Sequence, residues 1–111
     1  MSNKILNANK NMKTTVEDKD GVITVVFEGQ MDTKSTPQVE EDLKPLFDSE
    51  SKEIVIDCSD LEYVSSSGLR IFLSIALDTQ SNGKHVTIKG MNSFVSELFE
   101  MSGFTDLFDY E

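Results

Sequence analysis

Two short β-branched runs, Ile54-Val55-Ile56 and Val86-Thr87-Ile88, stand on either side of a long stretch with helical periodicity. That alternation constrains the fold more than any other feature of the chain. Runs of this kind suit strands inside a sheet, and Ile54-Val55-Ile56 reads as a central strand covered on both faces. Two strands joined through a helix lie parallel, because the crossover returns the chain in its original direction. Upstream, Lys13–Asp18 and the apolar stretch Val22–Phe27 flank Asp20-Gly21, a turn signal that makes them a hairpin. The expected fold is a single α/β domain with a mixed, mostly parallel sheet, an N-terminal hairpin and three to four helices, in the order β-β-α-β-α-β-α.

The helical segments carry their own signals. Thr36 is a candidate N-cap with Pro37 at the first helical position. Glu40, Glu41 and Asp42 follow in the early turns, where the helix dipole favours negative charge, and read as a solvated helix start without metal-ligand spacing. Val39, Leu43, Leu46 and Phe47 share one face. Asp57 to Val64 reads as a connection anchored by Leu61 and Val64. In the next helix Leu69, Phe72, Leu73, Ala76 and Leu77 form an inward stripe, and Asn82-Gly83 ends it. Ile71 and Ile75 then project to another side, about 40° apart on the helical wheel. They form either a docking patch or a surface packed under a loop or the tail. The last helix has Asn92 or Ser93 as cap, and Val95, Leu98 and Met101 with Phe94 on its inner side. Gly103 ends it, and Phe104, Leu107 and Phe108 anchor the tail. Residues 1–11 are polar, Asn-rich and without periodicity, so they are expected to be disordered, and 12–111 to form the domain.

Charge and residue inventory narrow the function. The net charge of −10 makes nucleic acid a poor partner. Nine carboxylates against two lysines lie between Pro37 and Glu62. This fits a partner with a basic docking face, or plain solubility. No apolar run reaches the roughly 20 residues of a membrane span, which argues against membrane insertion. The N-terminus lacks the apolar core of a secretory signal, and a cytoplasmic location is expected. One cysteine, Cys58, and one histidine, His85, provide neither an internal disulfide nor a usual zinc site. No phosphate-cradling glycine motif or nucleophile elbow is present, so neither a cofactor nor an enzymatic activity is expected.

The informative segment is Asp57–Phe72, which places Ser65-Ser66-Ser67-Gly68 at the start of a helix. A helix start offers unpaired amides and the positive end of a dipole. A serine there is a preferred cap, because its hydroxyl satisfies an amide. It is equally a place where a covalent phosphate is stabilised. The residues alone allow both readings.

The segment Tyr63-Val64-Ser65-Ser66-Ser67-Gly68-Leu69-Arg70 resembles the signature of the STAS family, the anti-sigma factor antagonists and their relatives. Gly29-Gln30-Met31-Asp32 is similar to that family's glycine–aspartate landmark after the second strand. Ile54-Val55-Ile56-Asp57-Cys58-Ser59-Asp60-Leu61 and Val95-Ser96-Glu97-Leu98-Phe99-Glu100-Met101-Ser102-Gly103-Phe104 fit its third strand and last helix. The resemblance implies that Ser66 is a phosphoacceptor, with Ser65 as a competing acceptor. It places Asp32 near Ser66, and makes Gly68 a point of close approach. Ser65 stands where well-studied members carry an aspartate. The candidate partner-facing set is Asp32, Ser65, Ser66, Ser67 and Gly68 from the resemblance, joined by Arg70, the chain's only arginine, and by Ile71 and Ile75 from the helix geometry. The implied partner is an anti-sigma factor with serine kinase activity, with a phosphatase to reverse the modification. The alternative is a constitutive binding subunit of a lipid-transport or stress-sensing assembly.

Overall fold

The computed structural model describes residues 5–8, 11–50 and 53–111. The expected hairpin is present. Strands β2 (Met12–Lys19) and β3 (Val22–Met31) pair antiparallel, with Lys19 opposite Val22. Two residues close the turn, with φ of 55° at Asp20 and 81° at Gly21. Positive φ at both positions matches the right-handed twist of the paired strands. A further strand, β1 (Ile5–Ala8), pairs antiparallel with β2. Of the segment 1–11 expected to lack structure, 5–8 therefore forms a strand, and residues 1–4 and 9–10 lie outside the described residues.

Strands β4 (Glu53–Val64), β5 (His85–Lys89) and β6 (Asp109–Tyr110) continue parallel from β3, so the six strands lie in chain order. Right-handed crossovers that always advance in one direction place the helices on one face of the sheet. These helices are α1 (Thr36–Asp42), α2 (Lys44–Asp48), α3 (Ser66–Ser81) and α4 (Ser93–Met101). Burial alternates accordingly. Ile23, Val25, Phe27, Ile54, Ile56, Val86 and Ile88 are buried, while Val26, Val55 and Thr87 between them are half-buried. The run Ile54-Val55-Ile56 is thus fully covered on one face, not on two. Beneath the helices, Phe72 meets Phe27, Phe99 and Phe108 edge-on, at centroid distances of 5.7, 5.0 and 6.4 Å. This ring geometry adds to the burial of large apolar surface.

Several local expectations change. Asp57–Val64 is strand rather than connection, although Leu61 and Val64 are buried as anchors. Register shifts at Val26/Glu28 and Gly29/Gln30 break the alternation that would have marked it. Ser35, not Thr36, is the residue before α1. It offers no side-chain cap, and its amide donates instead to Asp32 Oδ1 at 2.9 Å. Pro45 lacks an amide hydrogen and sits in the first turn of α2, so the predicted single helix is divided at Leu43. Asp42 is not on a solvated surface: it is 5% exposed, with Oδ1 accepting from Gln38 Nε2 at 2.9 Å. Burial raises its pKa above the ordinary carboxylate value. In α4, Val95 and Phe99 are buried and Leu98 is half-buried, whereas Phe94 and Met101 are exposed. Among the described residues no helix is long and apolar enough to cross a membrane.

The main correction concerns α3. Its buried face is Gly68, Ile71, Phe72, Ile75, Ala76 and Thr79. Ile71 is 3% exposed and Ile75 is 0% exposed, so neither belongs to an outer patch. Leu69 and Leu73 are half-buried, and Leu77 is 56% exposed. The helix is apolar nearly all round, and its sequence permits two inward stripes. Gly68 selects between them. A Cβ on Gly68 would lie 2.8 Å from Val64 Cγ1 and 3.0 Å from Met31 Sδ, so the bare side of the helix is pressed against the strand ends. Ile75→Ala is expected to reduce unfolding free energy by about 2–4 kcal/mol, and Leu77→Ala by less than about 0.5 kcal/mol, in urea denaturation. The reverse order would restore the stripe read from the sequence.

Candidate functional site

The site forms where β3 and β4 end. Met31 pairs with Val64 in parallel register, so Asp32 and Ser65 leave neighbouring strands side by side. Crevices at the carboxyl ends of parallel strands are where α/β sheets present their functional groups. The Ser65 amide donates to the Met31 carbonyl at 2.9 Å, tying the start of α3 to the end of β3. Asp32 is held in turn by the Ser35 amide and lies at the rim of this junction, half-buried.

The three serines are not equivalent. Ser65 is the N-cap, in extended conformation (φ −81°, ψ 174°), and is 8% exposed. Its Oγ accepts from the Gly68 amide at 3.1 Å, and its carbonyl accepts from the Leu69 amide at 2.9 Å. Ser66 is the first residue of α3 and is exposed; its hydroxyl makes no hydrogen bond among the described residues. Ser67 is half-buried. The capping reading of the serine cluster is met by Ser65, and Ser66 presents a free hydroxyl beside it.

Gly68 faces Val64 and Met31 and is buried, so its close approach is to the chain's own strands. Arg70 is exposed and carries no ion pair among the described residues. At 100° per residue, Arg70, Leu73 and Leu77 fall within about 40° of Ser66 on the wheel. The outer face of α3 thus combines the free hydroxyl, one cation and two leucines. Ile71 and Ile75, expected in this set, point into the core.

One element of the surroundings was missed. Tyr63 and Phe94 stack at 5.8 Å with an interplanar angle of 21°, and are 40% and 47% exposed. The Asn92 side chain holds them together. Its Oδ1 caps α4 by accepting from the Val95 amide at 2.8 Å, while Nδ2 donates to the Leu61 carbonyl at 3.2 Å. The sequence signal was Asn92 as a cap, but its second bond across to β4 has no local signature. Cys58 lies inside the sheet, and burial pushes its thiol pKa up to about 12, which leaves it protonated and unreactive at neutral pH. Among the described residues no group of three or more His, Cys, Asp or Glu could hold a metal ion.

The family model described as the STAS domain matches residues 13–111. An anti-sigma-B factor antagonist of Staphylococcus aureus is 30% identical over 99 residues, which span 89% of this chain and 90% of the relative. The solved structure of an anti-sigma factor antagonist from Mycobacterium paratuberculosis has a TM-score of 0.81 at 24% identity, and covers 95% of this chain and 89% of that one. The phosphorylated form of the Bacillus cell fate determinant SpoIIAA has a TM-score of 0.70 at 13% identity, over 88% of this chain and 90% of that one. The two structural likenesses concern the fold.

The division of labour between adjacent serines is measurable. Ser65→Ala is expected to lower unfolding free energy by about 1 kcal/mol through loss of the cap. Ser66→Ala should change it by less than about 0.5 kcal/mol. A larger loss from Ser66→Ala would mean that its hydroxyl holds the helix.

Proposed function

The chain belongs to the STAS domain family, and on that premise we propose that it is an anti-sigma factor antagonist switched by phosphorylation of Ser66. It is read as a binding protein rather than an enzyme. In the unphosphorylated state it binds an anti-sigma factor through the rim of β3 and β4 and the outer face of α3, and thereby releases a sigma factor. The anti-sigma factor is also the kinase and brings its own ATP. The Ser66 oxygen attacks the γ-phosphorus; a new O–P bond forms, the bond to the β,γ-bridging oxygen breaks, ADP leaves, and the hydroxyl proton passes to a base on the kinase. The phosphate adds about −1.5 to −2 charges in the middle of the docking face, and repulsion and desolvation end the interaction. Hydrolysis by a separate phosphatase restores the hydroxyl.

The observation that carries this reading is the contrast between Ser65 and Ser66. Ser65 is buried and its hydroxyl accepts from the Gly68 amide, which supports Ser66 rather than Ser65 as the acceptor. Ser66, one residue on, is exposed at the helix start, where orphan amides and the dipole favour added negative charge. A phosphate there lies on the exposed side of the helix and displaces no packing. The name of the Staphylococcus aureus relative supports the choice of partner.

With the anti-sigma factor purified from the host of this chain, Ser66→Ala is expected to bind as tightly as the unmodified protein and to stay bound in the presence of ATP. Ser66→Asp should bind at least about tenfold more weakly, a loss of roughly 1.4 kcal/mol. Equal affinity of the two variants in calorimetry would contradict the switch.

A further inference from the structure

Arg70 is the only arginine of the chain. It lies four residues after Ser66 on the outer face of α3, exposed and without an ion pair among the described residues. Residues at this spacing are neighbours on a helix, with Cβ atoms about 5–6 Å apart. The order also matters: an anion N-terminal to a cation at i, i+4 is the favourable arrangement, because it agrees with the helix dipole. A guanidinium offers a planar fork of donors that fits two phosphate oxygens at once, which an ammonium does not.

The first turn of α3 completes the cradle. Ser65 satisfies the amides of Gly68 and Leu69, through its hydroxyl and its carbonyl respectively. The amides of Ser66 and Ser67 have no partner within the helix. A group attached to Ser66 therefore meets donors on two sides: backbone amides at the helix start and a guanidinium one turn along.

We propose that Arg70 is an intramolecular clamp for phosphorylated Ser66, holding the phosphate against the outer face of α3. This rests on Ser66 being the modified residue. Arg70 is a positioning residue and takes no part in phosphoryl transfer. The clamp gives the switch two effects. Phosphorylation places negative charge on the docking face, and it also withdraws the arginine from that face by pairing it within the chain.

The test uses the full chain with phosphoserine incorporated at position 66 during translation, so that no kinase is needed. Phosphorus NMR follows the second ionisation of the phosphate with pH at low salt. Arg70 and the helix start favour the dianion, so the ionisation lies below that of a free phosphoserine. Arg70→Gln is expected to raise it by roughly 0.4 of a pH unit, the scale of one exposed i, i+4 ion pair. Arg70→Lys should recover part of the shift. At 1 M salt the difference between Arg70 and the Gln variant should nearly vanish. An identical ionisation of phosphoserine 66 in the protein with Arg70 and in its Arg70→Gln variant at low salt would overturn the clamp. Because the phosphate is installed directly, a failure of the host kinase to modify Ser66 would remove the proposed switch without altering this result.

Discussion

The hydrogen bond from the Ser65 amide to the Met31 carbonyl, 2.9 Å long, is the constraint on which the functional end of the molecule depends. It fastens the first residue before α3 to the last residue of β3, across the parallel pairing of Met31 with Val64. Gly68 then lets the helix settle against those two side chains, where any Cβ would collide. Position and rotation of α3 are both fixed within its first turn. The rotation sends Ile71, Phe72 and Ile75 into the core and leaves Ser66, Arg70 and Leu77 outside. A regulatory hydroxyl needs this kind of support: it must sit on a rigid element, next to unsatisfied amides, without itself being part of the fold.

The arrangement separates stability from signalling. Ser65 stabilises the helix by capping it and is buried in doing so. Ser66 contributes little to packing, so charge can be added there without unfolding anything. The most economical description of the switch is electrostatic. In the proposed switch the backbone stays in place, and the surface that a partner meets gains negative charge. The exposed Leu77 and half-buried Leu73 of α3 give that face apolar area beside Ser66 and Arg70.

The fold class was legible because its determinants are local. Asp20-Gly21 fixed the hairpin, the β-branched runs at Ile54–Ile56 and Val86–Ile88 marked parallel strands, and Asn82-Gly83 and Gly103 ended helices where positive φ was required. The failures are equally physical. β4 runs to Val64, but its second half is polar and bulged, so alternation does not announce it. The inward face of α3 was misassigned because seven apolar residues encircle the helix and only the contact of Gly68 with Val64 and Met31 decides between two stripes. Thr36 looked like a cap, but Asp32 holds the Ser35 amide from outside the helix, an interaction set by the loop and not by the helix sequence. At the site, the serine cluster was visible from the start. Which serine caps and which is free follows from the extended conformation of Ser65, and that is a property of the strand end it leaves.

The central claim is that one hydroxyl among three adjacent serines is available for modification. It is tested most directly by incubating the protein with ATP and the host's anti-sigma factor kinase, and then mapping the phosphate by mass spectrometry of the peptide spanning residues 57–70. A single phosphate on Ser66, with Ser65 and Ser67 unmodified, is the predicted result. Phosphate on Ser65, which would require the helix cap to open, or on no serine of the segment would contradict the account.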